Sequence, residues 1–505
     1  MEYAAYCEPH RPQFHFTPAK NWMNDPNGMV YFNGLYHLFY QYNPNDNVWG
    51  DIHWGHATST DLVHWEHRPV ALRADHENNL GYVFSGSCVV DWNNTSGLQA
   101  GEHPPLIALF THATKENYQV QSLAYSTDGG DSWSMYDANP VLPNPGIKDF
   151  RDPKVFWDTS RERWMMVLAA GDRISFYTSA NLIDWHHSGD FGEKVGAHGG
   201  VWECPDLFPL LDPRSGEEQW VLLVSMHPGA PNGGSGTQYF IGEFDGDAFV
   251  SGQQDALWFD YGPDNYAGVT WSDVPGTDGR RIFIGWMSNW NYANNVPTSP
   301  WRSAMTIPRE LFLYDTEKGA RLGSKPIAEL SAQLMPCSNA DMALTTQSPL
   351  TFYRGDENAS KAITLKLENQ GGSLGDWTLR FFNQGGDQLR VAYESSEQRL
   401  VLDRTHASIE MADAKDFMPI AYAPLEVPVG SELSLELLID HSSLEIFVTG
   451  GQSLVSMTYF SNEVLNQCEL ISEHRTDSAV SVNAEISDVV SIWSNAMQTA
   501  ASALA

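Results

Sequence analysis

Five short apolar runs punctuate the first 310 residues at near-regular distances. They are "LYHLFYQ" from Leu35, "PLIALFTH" from Pro105, "RWMMVLAA" from Arg163, "QWVLLVSM" from Gln219 and "RIFIGWMS" from Arg281, with starts 70, 58, 56 and 62 residues apart. Their length and their bounding Gly, Pro, Asn and Asp clusters predict strands. A second strand with a turn signal precedes each, as in "NDPNGMVYFNG", "FRDPKVFWDTSRE" and "ECPDLFPLLDPRSGE". After the first three comes a polar turn with a tryptophan four or five residues on: "ATSTDLVHW", "AYSTDGGDSW" and "FYTSANLIDW". Strand, turn, strand, polar turn, strand, five times over, predicts a five-bladed β-propeller with long inserted loops. The competing arrangement is a β-sandwich whose spacings coincide by chance.

The repeat stops after "IPRELFLYD". "PIAELSAQL", Pro326–Leu334, opens with proline and has helical spacing, so a connecting helix is expected. From about Leu350 short alternating segments resume, among them "AITLKLE", "WTLRFF", "LSLELLID", "AVSVNAEI" and "VVSIWS", and predict a two-sheet sandwich. The expected organisation is all-β: a propeller over 1–320, a linker with a short helix over 321–345 and a β-sandwich over 346–505, whose tail "NAMQTAASALA" is expected to be disordered.

Composition narrows the function. Lys+Arg 29 against Asp+Glu 63 gives a net charge of −34, which disfavours nucleic acid and anionic membrane partners. No run approaches the ~20 apolar residues that span a bilayer. The start "MEYAAYCEPHRPQF" has neither the basic nor the apolar region of a signal peptide, so the chain is expected to be cytoplasmic or a mature extracellular form. Five scattered cysteines make no disulfide framework, and none has metal-ligand spacing. His53, His56, His64 and His67 lack carboxylates at useful spacing, so neither a metal nor another cofactor is expected.

The repeat register carries the chemistry. In a propeller the first strand of each blade lines the central channel, and here the polar residues at those five starts are Asp25, Ser85, Asp152, Glu203 and Tyr266. Three carboxylates aimed at one funnel repel one another, an arrangement that folding alone does not require. Two of them facing one glycosidic bond can cleave it, one attacking the anomeric carbon and the other protonating the leaving oxygen. In "VWECPDLF" the apolar flanks of Glu203 favour the neutral acid. In "DFRDPKVF" Arg151 is expected to keep Asp152 ionised, as suits a clamp on adjacent sugar hydroxyls. Cys204 reads as a packed neighbour rather than a nucleophile.

Together "WMNDPNG", "FSGS", "FRDPKVF" and "WECPDLF", in this order and spacing, resemble glycoside hydrolase family 32, the β-fructofuranosidases, and the resemblance spans nearly the whole chain. It implies retaining hydrolysis of terminal β-fructofuranosyl units from sucrose, levan or inulin, some transfructosylation, and no cofactor. It also implies roles: Asp25 as nucleophile, Glu203 as general acid/base, Asp152 as transition-state stabiliser. A fructose-binding shell of Asn24, Gln41, Trp49, Trp54, Phe84, Ser85, Arg151, Tyr266 and Trp286 follows from the same match. Trp54 and Trp286 sit in strand-like patterns that suit a core position as well.

Three rivals are set against this reading. "STDGGDSW" matches the sialidase Asp-box, yet it occurs once in full and the acidic channel would repel an anionic sugar. A non-catalytic sugar-binding propeller has no need of both Asp25 and Glu203. An arabinanase or xylosidase of the related clan shares the three carboxylates but lacks "WMNDPNG" and "FSGS".

Overall fold

The computed structural model describes residues 6–76, 81–345, 348–355, 358–369, 371–411, 414, 416–472 and 480–493. The tail expected to be disordered lies outside them. Five antiparallel sheets fill the first two-thirds, each opening on an inner strand: Asn21–Phe32, Tyr82–Val90, Phe150–Asp158, Val201–Leu211 and Tyr266–Thr270. These five strands touch in cyclic order, the last returning to the first, so they ring a central channel. The apolar runs read from the sequence are the second strands, such as Leu106–Ala113 and Arg163–Ala170, and both are buried apart from Arg163. Being covered on both faces explains their unbroken hydrophobicity. A short parallel pair, Asn21–Trp22 against Trp301–Arg302, joins the segment between the second and third strands of the fifth repeat to the first sheet.

The propeller is followed by two six-stranded antiparallel sheets facing each other across a Leu-, Ile- and Val-rich layer, the expected sandwich. Two details depart from the sequence reading. "PIAELSAQL" is not an α-helix: Pro326 ends the strand Gly319–Pro326 and only Ala328–Gln333 coils, as a 3-10 helix. Six residues held between strands are too few to nucleate an α-helix. "VVSIWS" is not a strand either. Val489 closes the strand Val480–Val489, after which the backbone amide of Ile492 donates to Gln13 O (2.9 Å) and the Trp493 indole to Pro12 O (2.9 Å). Within the expected linker 321–345, the strand Gly319–Pro326 pairs with the fifth propeller sheet, while Leu334–Leu344 pairs with Val480–Val489 in the sandwich.

The two parts share a buried polar seam. Arg309 bonds Glu445 Oε2 (Nη2, 2.5 Å) and lies 3.4 Å from Asp260 Oδ2. Arg404 Nη1 bonds Asp264 Oδ2 (2.8 Å). His15, on the segment leading into the propeller, sits between Asp440 Oδ2 (2.8 Å) and Glu445 Oε1 (3.0 Å) of the sandwich. All these charges are paired, as burial demands.

Candidate active site

The inner strands present their polar residues through a defect repeated five times. In each, two residues oppose one on the neighbouring strand: Asn24–Asp25 against Gln41, Phe84–Ser85 against Thr111, Asp152–Pro153 against Leu168, Cys204–Pro205 against Val224, and Ala267–Gly268 against Gly285. Such bulges re-aim side chains, and here they do so at one depth of the channel. Asp152, Cys204 and Ala267 carry φ of +66°, +45° and +53°, left-handed values that cost energy for residues other than glycine. The preceding blade takes up each freed amide. Asp152 N donates to Thr111 Oγ1 (3.0 Å), Cys204 N to Asp152 Oδ2 (3.0 Å) and Ala267 N to Ser225 Oγ (3.0 Å).

The result is a cavity of about 550 Å³ with Asp25, Asp152 and Glu203 in its wall. Asp25 accepts from Asn24 Nδ2 (2.9 Å) on one oxygen and from Ser85 Oγ (2.7 Å) on the other. The Cys204 thiol lies 3.6 Å from both Asp25 Oδ2 and Asp152 Oδ2, packed between the two carboxylates. Burial and three surrounding carboxylates push its pKa well up, so it is no thiolate nucleophile. Glu203 accepts from Arg151 on Oε1 (Nη2, 2.9 Å) and from the Tyr266 hydroxyl on Oε2.

Arg151 therefore does not do what its place in the sequence suggests. It reaches Asp152 only at 3.9 Å and spends its fork on Glu203 and on Asp149 Oδ1 (2.8 Å). Asp152 is not held at low pKa. Burial raises it to about 7, against Arg151 and with the help of the Glu203 and Asp25 charges. Asp25 is also raised, chiefly by burial, while Ser85 and Asn24 work to lower it and Glu203 adds to the rise. Burial and Glu203 push the Tyr266 phenol well above its usual range. Asp25 and Asp152 share too little water to ionise together as they would apart.

Of the predicted shell, Asn24, Gln41, Trp49, Phe84, Ser85 and Arg151 line the cavity beside the carboxylates. Gln41 is fixed by donating to Val83 O (3.1 Å), and Trp49 is half-exposed at the rim with its amide on Asn294 Oδ1 (2.9 Å). Tyr266 stands behind Glu203. Trp54 and Trp286 are fully buried and do not line the cavity. Trp54 packs between the first two sheets, donates to Phe84 O (3.0 Å), and lies so close under Gly28 that a Cβ there would meet its ring at 2.6 Å. Trp286 backs Trp290, ring centroids 4.8 Å apart, and it is Trp290 of this pair that lines the wall.

The sequence reading missed Tyr82, Gln119, Asp149, Trp290 and Asn294, all of which line the cavity. Asp149 and Trp290 lie within a few residues of Arg151 and Trp286, and that adjacency was the available signal. Gln119 starts a third strand, where nothing in the local pattern marks a ligand contact.

The four histidines have separate partners: His53 with Asp51 (3.3 Å), His56 with His37 (3.1 Å), His64 with Asp61 (2.8 Å) and His67 with the Tyr6 hydroxyl (2.7 Å). Among the described residues no group of three or more His, Cys, Asp or Glu is placed to hold a metal ion. The Asp-box stretch is a blade turn in which Asp128 accepts from Ser126 Oγ (2.7 Å) and Ser132 N (3.0 Å). Ser59 with Asp61, and Ser179 with Asn181, build the same turn in the first and third sheets.

Comparison with known proteins gives two adjoining matches, to the glycosyl hydrolases family 32 N-terminal domain over residues 15–326 and to the family 32 C-terminal domain over 335–488. A levanase of Bacillus subtilis is 47% identical over 457 residues, 89% of this chain and 66% of that protein. The crystal structure of an exo-inulinase from Aspergillus awamori superposes with a TM-score of 0.88 at 35% identity, covering 97% of this chain and 100% of the other. A β-fructofuranosidase from Schwanniomyces occidentalis, solved with fructosyl-erythritol, gives 0.85 at 30% identity over 96% and 99% of the two chains. Among the described residues no helix is long and apolar enough to cross a membrane.

Proposed function

The chain belongs to glycosyl hydrolase family 32, and from that premise we propose that it releases terminal β-D-fructofuranosyl units from fructans and sucrose with retention of configuration. The observation that carries this reading is the Cys204 contact: its amide and thiol hold Asp152, its thiol touches Asp25, and its neighbour Glu203 completes the trio. Asp25 attacks the anomeric carbon, its oxygens aligned by Asn24 and Ser85. Glu203 protonates the departing glycosidic oxygen and then deprotonates the water, or second sugar, that resolves the fructosyl-Asp25 ester. Asp152 takes the hydroxyls of the fructosyl ring. Transfer to a sugar instead of water gives transfructosylation.

Gln41, Phe84, Trp49 and Trp290 give the ring one polar contact and an aromatic collar. The relatives' names (levanase, exo-inulinase, β-fructofuranosidase) support fructan and sucrose as the substrate class. Curated exo-inulinase relatives are named extracellular, and action on polymeric fructan outside the cell agrees with them. The test is chromatography of products from levan, inulin and sucrose, with NMR of the sugar first released. Free fructose appearing first as the β-anomer is expected. Oligosaccharides without fructose, or the α-anomer first, would overturn the reading.

A further inference from the structure

At the opposite end of the channel the inner strands finish around a second cavity of about 600 Å³, as large as the carboxylate pocket. The last residues of the second and third inner strands line it, together with Asp206, Leu207, Phe208 and Pro209 of the fourth and Asp273 just beyond the fifth. It opens beyond the carboxylates along those strands, and Lys154 and Asp206, two and three residues on from Asp152 and Glu203, are its lining residues nearest to them in the chain.

Its lining carries features that folding does not call for. Trp92 is 60% exposed, yet it is held in place. Its indole N–H donates to Asp273 Oδ1 (2.8 Å), and its loop is fastened by Asp91, which accepts from the amides and hydroxyls of Thr95 and Ser96. Trp157 and Trp220 add further ring surface to the same wall. Arg281 lies 5.2 Å over the Phe208 ring, and its guanidinium makes no hydrogen bond or ion pair with any described residue. Lys154, by contrast, is spent on Asp206 (3.3 Å) and Thr270 O (2.5 Å).

Fixed indoles and an unspent fork of donors suit a ring with an apolar face and a hydroxylated edge. Charge decides against an anion: Asp158, Asp206, Glu218 and Asp273 outnumber Lys154 and Arg281 in the lining. We infer that this rear mouth is a second, non-catalytic binding site for a neutral oligosaccharide, a segment of the same fructan whose free end the front pocket trims. The identity of the sugar rests on the function proposed above.

Affinity electrophoresis of the full chain through native gels containing levan or inulin tests this, in an Asp25→Asn background so that polymer is not consumed. Adding Trp92→Ala is expected to weaken retardation about threefold or more, and Trp92→Phe, which keeps a ring, to restore most of it. In the active chain Trp92→Ala should raise KM for levan by a similar factor and leave kcat and KM for sucrose within about twofold. Unmoved retardation and levan KM, or sucrose kinetics falling in step with levan kinetics, would overturn the site. If the active chain turns over no fructoside while a neutral glucan or xylan retards it through Trp92, the site stands and the proposed function fails.

Discussion

Arg151 binds Glu203, at 2.9 Å, in preference to Asp152, its neighbour in the chain, at 3.9 Å. The third bulge accounts for this. It gives Asp152 a left-handed backbone and sends its Oδ2 to the Cys204 amide, leaving the guanidinium to reach across to the fourth inner strand. Asp149 anchors the other side of the fork. Arg151→Lys keeps a charge but loses the two-pronged grip on Glu203. We expect kcat/KM on sucrose to fall about 10²–10³-fold and the pH–rate profile to shift with it. A variant with native turnover and an unshifted profile would show that this pairing has no part in the chemistry.

Asp25→Asn removes the attacking oxygen and retains a side chain of the same shape. Turnover should drop on the order of 10⁴-fold or more. Thermal unfolding should be unimpaired, because the carboxylate it replaces is one whose ionisation burial opposes. Near-native kcat would exclude Asp25 as nucleophile.

Glu203→Gln separates acid catalysis from attack. Sucrose, with a poor leaving group, should lose about 10²–10⁴ in kcat, whereas an aryl fructoside with a low-pKa leaving group should form the fructosyl-enzyme at close to the native rate in a pre-steady-state burst. Equal losses on both substrates would take the proton-donor role away from Glu203.

The interdomain seam makes stability depend on pH through His15. Burial acts to lower its pKa, but the hydrogen bonds and charges of Asp440 and Glu445 prevail and raise it from 6.5 to about 9. The stabilisation it gives is complete below the unfolded value near 6.5 and is lost as pH rises through about 9. Asp440, buried but lowered to about 2 by His15, gives stability above its usual 3.8 that disappears as pH falls toward 2. The unfolding midpoint should therefore decline between about pH 7 and 10, and His15→Gln should flatten that decline. An equal slope in both proteins, measured by calorimetry, would refute the assignment.

The three acids were legible because each sits in a short stretch at the same phase of a repeated strand pattern, and phase converts sequence distance into spatial convergence. Ser85 came with them for the same reason, whereas Asn24 followed from the family resemblance. Trp54 and Trp286 were misplaced because alternation tells which face of a strand a residue takes, but not which blade packs over that face. Gln119 and Asn294 reach the cavity from a third strand and a 3-10 turn, whose positions depend on how neighbouring sheets meet. The partner of Arg151 was hidden for a related reason: a bulge reverses the direction that adjacency suggests, and in "FRDP" no residue announces a left-handed aspartate. The break between Pro326 and Leu334 was visible, but its winding was not, since an opening proline and two leucines four apart suit a 3-10 turn as well as an α-helix.

Ring closure has a consequence for biosynthesis. The first inner strand finds its parallel partner only at Trp301–Arg302, where the Asn21 amide also takes up Pro300 O at 2.7 Å. While the polypeptide is being made, the earliest sheet must wait with an unsatisfied edge until the first half of the fifth repeat has left the ribosome. Nascent chains that stall before residue 301 can hold finished individual sheets but lack the strand pair that ties the last of them to the first.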